Sequence, residues 1–210
     1  AELIGERWTL LIVRELLLGP KRFTDLEDGL HGIGPSVLAA RLARLETAGM
    51  VRRSLLPPPA GVSVYELTED GEALRPSVLE LIRWGGRFLF PARKGERFEP
   101  AWALLALQAS ARRAPSPKRS FVLRIRRGAK EASVHVAGGP GGTKVSAGEG
   151  PADATITGPP DTLLRLMSGQ LPPQAAVRDG LVKVEGDARA LPDLPLLFDI
   201  PAATPADQAR

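Results

Sequence analysis

Hydrophobic periodicity changes character once along this chain, and that change limits the fold more than any compositional figure. Up to about residue 90, apolar side chains recur at helical spacing with one pair of β-like runs among them. Beyond about residue 120, strand patterns dominate. Leu10, Leu11, Arg14, Leu17 and Leu18 keep helical spacing until Gly19-Pro20 stops them. A second helix is expected from Thr24 to Leu30, capped by Thr24, with Leu26 and Leu30 inward. A third starts at Pro35-Ser36 and carries Leu38, Leu42 and Leu45 on one stripe. It ends at Ala48-Gly49, where glycine suits a left-handed residue. Met50–Leu55 and Val62–Leu67 read as strands, joined by the loop Pro57-Pro58-Pro59-Ala60-Gly61. Thr68 then caps a helix through Leu74, Val78, Leu81 and Phe88, which Pro76 kinks or starts afresh.

Pro91–Gly95 is a polar joint containing breakers, and Phe98, Trp102, Leu105 and Ala109 mark one more helix. A basic, proline-containing linker follows over Arg112–Ser120. Strands are then expected at Phe121–Arg127, Ala132–Ala137, Thr143–Ala147 and Asp153–Thr157, with Gly138–Gly142 as a hairpin loop. Asp161–Ser168 reads as a helix and Leu181–Val184 as a strand. Ala190–Phe198 reads as a final helix with Leu191, Leu194 and Phe198 inward, although it contains Pro192 and Pro195. The expected architecture is therefore α+β in two domains, residues 1–95 and 96–200, with a tail over 201–210.

Composition removes several function classes. The 210 residues contain no Cys, which excludes a disulfide scaffold, a thiolate zinc site and a Cys nucleophile in this sequence. The two histidines, His31 and His135, fall in different domains with no ligand pattern near either. No Gly-x-Ser-x-Gly elbow occurs. Gly138–Gly142 is no phosphate loop, since Thr143 rather than Gly precedes Lys144 and no helix follows. The expectation is a protein that is not an enzyme and takes no cofactor or metal. No apolar stretch approaches the roughly 20 residues of a membrane helix, and Glu2 and Glu6 stand where a secretory leader needs positive charge. A cytoplasmic location is expected.

Helix, helix, turn, helix and hairpin is the order of a winged helix-turn-helix, whose third helix enters the major groove. With Leu38, Leu42 and Leu45 inward, Ser36, Ala40, Ala43 and Thr47 face outward and Arg41 and Arg44 flank them. Small residues let such a helix approach base edges, and the guanidinium groups reach phosphate or guanine. The string Gly5-Glu6-Arg7-Trp8-Thr9-Leu10-Leu11-Ile12-Val13-Arg14-Glu15-Leu16 continues through Gly19-Pro20-Lys21-Arg22-Phe23-Thr24-Asp25-Leu26. It then reaches Gly32-Ile33, Leu38, Arg41-Leu42, Leu45, Gly49-Met50-Val51 and Tyr65-Glu66-Leu67-Thr68. This pattern resembles the HxlR family of winged-helix transcription regulators over residues 1–90. The resemblance implies a homodimer that binds double-stranded DNA, commonly as a repressor, with Trp84 and Phe88 in the dimer helix. Nothing between Ser54 and Tyr65 is charged. The phosphate-contact candidates are therefore Lys21, Arg22, Arg52 and Arg53, beside Ser36, Ala40, Arg41 and Arg44 on the third helix.

A second resemblance covers residues 100–200, to the sterol-carrier-protein-type lipid-binding domain. It is carried by Asp153-Ala154-Thr155-Ile156-Thr157-Gly158, Leu163-Leu164-Arg165-Leu166-Met167-Ser168-Gly169, Gly180-Leu181-Val182-Lys183-Val184-Glu185-Gly186-Asp187 and Leu197-Phe198. The resemblance implies helices laid over a five-stranded sheet, with an apolar tunnel for a hydrophobic ligand between the layers. Leu163, Leu166, Met167, Leu171, Leu194, Leu197 and Phe198 are the candidate tunnel walls, and the alternative is that they close a dry core. Asp187 is expected to cap the last helix.

These readings combine into a homodimeric DNA-binding regulator whose operator affinity responds to a lipid-like ligand. The alternatives are a regulator whose second domain serves dimerisation or partner docking, and a lipid carrier that does not bind DNA. Charge does not choose between them. The net charge is +4, yet residues 1–99 hold 14 basic and 14 acidic side chains. DNA affinity then rests on local placement, where Arg41, Arg44, Arg52 and Arg53 face a lone Glu46 in their stretch of sequence. The excess lies at Arg112, Arg113, Lys118, Arg119, Arg124, Arg126, Arg127 and Lys130, with no acid before Glu131.

Overall fold

The computed structural model describes residues 2–86 and 99–200. The joint expected at Pro91–Gly95, Phe88 and the tail over 201–210 lie outside the described residues. The chain forms two compact units that divide between Val78 and Leu79.

In the first unit, α1 (Thr9–Leu16), α2 (Phe23–Gly29) and α3 (Pro35–Thr47) precede a hairpin of β1 (Val51–Leu55) and β2 (Ser63–Leu67). Ile12, Val13, Leu26, Leu38, Leu42, Leu45 and Val64 are buried together in its core. Burying each such side chain contributes about 1.5–3 kcal/mol. α3 ends where Gly49 takes a left-handed φ of 70°; Gly49 N–H donates to Glu46 and Met50 N–H to Leu45, both at 3.0 Å. That pair of bonds closes the helix end and aims the chain into β1. The strands are antiparallel, with Val51 opposite Leu67, and paired backbone bonds between Lys21 and Tyr65 tie the α1–α2 loop to the hairpin. α2 departs from expectation at its start. Arg22, not Thr24, is the capping position, and Asp25 accepts from the Arg22 N–H at 3.0 Å. An acid at the third helical position performs this task from inside the first turn.

Thr68 does cap the next helix, accepting from Gly71 N–H at 3.2 Å. Pro76 goes with a fresh start, because α4 (Glu69–Glu72) stops before α5 (Arg75–Gly86) begins. Proline is tolerated in a first turn, where its missing N–H has no helical partner anyway.

Within the second unit, a 3-10 turn over Pro100–Trp102 leads into α6 (Ala103–Ser110). Then come β3 (Ser120–Arg127), β4 (Lys130–Ala137), β5 (Lys144–Ala147), β6 (Ala154–Gly158), α7 (Pro160–Met167), α8 (Pro173–Arg178) and β7 (Lys183–Gly186). The sheet has five strands in the order β5-β4-β3-β6-β7, with β3 and β6 parallel and every other neighbour antiparallel. α8 is absent from the sequence-based reading, because six residues behind two prolines carry too little periodicity to register. The last segment, Ala188–Leu197, forms 3-10 turns around Pro192 and Pro195. Those prolines remove the N–H groups that an α-helix would need there, yet Ala190, Leu191, Leu194 and Leu197 still face inward. Asp187 caps this segment as expected, accepting from Arg189 N–H at 3.0 Å. Alternation along β3 puts Phe121, Leu123 and Ile125 into the core shared with α7, α8 and the 3-10 segment.

Candidate nucleic-acid interface and apolar core

α3 places its side chains as the wheel requires. Leu38, Leu42 and Leu45 are buried, while Ser36, Val37, Ala39, Ala40, Ala43, Arg44 and Thr47 are exposed. Arg41 lies half-buried on the flank. The outward face is small and uncharged along its centre, with guanidinium groups to one side. Such a face can approach base edges closely without stranding a buried charge.

The arginines are not opposed by Glu46 alone. Arg41 and Arg44 both pair with Glu6, one at each carboxylate oxygen. Arg52 pairs with Glu66 at 2.8 Å, and Arg53 with Glu46 at 3.2 Å. Arg52 and Glu66 face each other across the hairpin, as do Arg53 and Tyr65. The Arg53 guanidinium stands 5.1 Å from the Tyr65 ring centroid, a cation–π distance. Being adjacent on a strand, Arg52 and Arg53 point to opposite faces of the hairpin. Lys21 and Arg22 make no ion pair among the described residues; Arg22 is exposed and Lys21 half-buried. Glu6 and Glu66 escaped the sequence reading because both arrive from outside the α3–β1 stretch; cross-strand register was the signal available for Glu66 alone.

On α5, Trp84 is 57% exposed and Leu81 is 50% exposed. The candidate dimer residue Phe88 cannot be placed beside them, since it lies outside the described residues.

In the second unit the seven tunnel-wall candidates come together. Leu163, Leu166, Met167, Leu171, Leu194, Leu197 and Phe198 are all buried and belong to one apolar cluster with Phe121, Leu123 and Ile156 of the sheet. The opposite sheet face is polar. The loop after β5 crosses it, with Glu149 accepting from Arg124 at 2.7 Å and the His135 Nε2 lying 2.9 Å from the Pro151 carbonyl. Arg124 also reaches Glu185 at 3.3 Å. The hydrogen bond from Arg124 holds the Glu149 carboxyl below its ordinary range, and Lys183, then Arg124, does the same for Glu185. Further along the basic stretch, Arg119 pairs with Asp193 at 2.7 Å, Arg126 with Glu131 at 3.0 Å and Lys130 with Glu99 at 2.7 Å.

A helix with a small outward face, a short turn before it and a hairpin after it is a helix-turn-helix with a wing. Residues 3–93 match the HxlR-like helix-turn-helix family. Relatives agree. The HTH-type transcriptional regulator YodB of Bacillus subtilis is 38% identical over 89 residues, covering 42% of this chain and 80% of that protein. YvaP of the same organism, an uncharacterized HTH-type transcriptional regulator, is 35% identical over 91 residues, 43% of this chain and 84% of its own. The chain belongs to the HxlR-like helix-turn-helix family. Its second half carries an SCP-2 sterol transfer domain, matched over residues 103–199. The solved reduced form of YodB aligns with 37% identity over 44% of this chain and 90% of its own, at a TM-score of 0.37. Among the described residues, no helix is long and apolar enough to cross a membrane.

Proposed function

We propose that this HxlR-like protein is a homodimeric regulator that binds double-stranded DNA through α3 and is modulated by a hydrophobic ligand in its SCP-2 domain. The observation that carries the reading is the joining, in one chain, of a helix-turn-helix regulator unit to a sterol transfer domain. In this reading Ser36, Ala40, Arg41 and Arg44 meet the major groove. Lys21, Arg22, Arg52 and Arg53 contact the phosphate backbone, and Trp84 with Phe88 joins the protomers. A ligand acts only if its affinity differs between the DNA-competent arrangement and the other. The lever is the spacing of two recognition helices, which must match half-sites about one helical turn apart. A lipid-like molecule suits the SCP-2 domain because its binding gains chiefly from apolar burial, about 25 cal/mol per Å².

One observation favours a second reading, in which the SCP-2 domain serves only dimerisation or partner docking. The seven candidate wall residues are already packed against one another and the sheet. Native mass spectrometry of the purified protein separates the two readings. Persistent co-purifying lipid, released on denaturation, is expected from the first. A clean apo mass, together with unchanged DNA affinity across a panel of fatty acids and sterols, would leave the second standing.

A further inference from the structure

Glu6 is an acid that the recognition helix does not supply for itself. It belongs to the segment before α1, yet its carboxylate pairs with both Arg41 and Arg44 of α3, Oε1 accepting a hydrogen bond from Arg44. Those arginines lie three residues apart and so project from one flank of the helix. The same segment continues along that flank, where Glu2 and Leu3 line an open groove with Arg44, Thr47 and Ala48. A carboxylate and a phosphodiester offer a guanidinium the same thing, a pair of anionic oxygens accepting a forked set of donors. The side chain of Glu6 is 21% exposed against 47% for Arg44. The acid is thus held close under Arg44, which is turned to solvent, while Arg41 is half-buried beside it.

We propose that Glu6 is an internal competitor for DNA phosphate, lowering the backbone affinity of the α3 face. The proposal rests on the reading of α3 as the recognition helix. A phosphate approaching Arg41 or Arg44 meets a fixed negative charge already neutralising both, and must displace it or bind beside it. Either route weakens contacts that carry no sequence information. Non-specific binding consists almost wholly of such contacts, so Glu6 lowers affinity for random DNA. The pairs of Arg52 with Glu66 and Arg53 with Glu46 act in the same sense on the hairpin. Glu6 differs in spanning two arginines from a separate segment.

The test is fluorescence anisotropy of the full chain with a labelled random-sequence duplex across a sodium chloride series. Glu6→Gln keeps the shape and removes the charge. It is expected to bind roughly threefold to tenfold more tightly at low salt, the size of two exposed ion pairs. The gain should shrink as salt rises, and vanish when Arg41→Ala and Arg44→Ala are present. Glu6→Asp, which keeps the charge, should bind like the parent; it serves as the comparison, with thermal melts of all variants showing that the fold is kept. If Glu6→Gln fails to fold, Glu6→Ala replaces it with the same expectation. Unchanged or weaker affinity in the charge-removed variant overturns the proposal, as does a gain that survives loss of both arginines. A parent that binds no duplex overturns the proposal together with the reading of α3.

Discussion

Arg41 and Arg44 illustrate what a single side chain contributes here. Both lie on the flank of α3, both are held by Glu6, and each keeps further N–H donors beyond that contact. If α3 enters the groove as proposed, replacing either by Ala removes a contact to DNA and leaves the buried stripe of Leu38, Leu42 and Leu45 untouched. Arg41→Ala or Arg44→Ala is therefore expected to weaken duplex binding and lower the salt slope by about one, with the fold kept. Titration of a selected genomic site checks this, and two variants that bind like the parent would show that α3 does not carry the interaction. These arginines were legible in the sequence as outward-facing cations. Their acid partners were not, because Glu6 lies 35 residues before Arg41 and no local pattern joins the two.

At the scale of elements, the glycine-rich run Gly138–Gly142 is a hairpin loop packed against the linker before β3. A Cβ on Gly138 would stand 2.2 Å from the Pro117 carbonyl oxygen and 2.5 Å from a Leu197 methyl. Gly142, at a φ of 89°, would meet the carbonyls of Arg112 and Arg113 at 2.6 and 2.8 Å. Ser116 accepts from the Gly139 N–H at 3.1 Å and the Arg119 carbonyl from the Gly138 N–H at 2.8 Å, so these two donors are committed inside the fold. Gly138→Ala should destabilise the second unit by about 1–3 kcal/mol, the usual size of an overpacking strain. Urea unfolding measures it, and an unchanged midpoint would mean that the loop is not packed this way. Element identity was readable wherever periodicity ran long, as in α3 or β3. It failed at α8 and at the segment over Ala188–Leu197, where prolines break the pattern while burial still holds the chain inward.

For the molecule as a whole, the basic stretch from Arg112 to Lys130 proves to be knit to acids from distant parts of the second unit. Asp193 meets Arg119, Glu149 and Glu185 meet Arg124, and Asp199 meets Arg112 at 3.1 Å. Glu149 and Glu185 are held below their ordinary 4.5, and Asp187 below 3.8 by Arg189. Carboxyls depressed by folding contribute stability above their unfolded pKa, and that contribution is lost as pH falls through the folded one. Stability of this unit should therefore hold from neutrality to about pH 5 and then decline on acidification. A urea midpoint that stays level to about pH 3 would contradict these pairings.

The two-domain order, the winged helix-turn-helix with its outward arginines and the apolar content of the second core were all written in local periodicity and motif. Those depend on neighbours within a few residues of one another. Which acids neutralise which arginines, how β3 comes to lie parallel to β6, and the gathering of Leu163, Leu171 and Phe198 onto one sheet were settled by packing between segments far apart in the chain. Coulomb and contact energies depend on distance in space, and only the closed fold sets that distance.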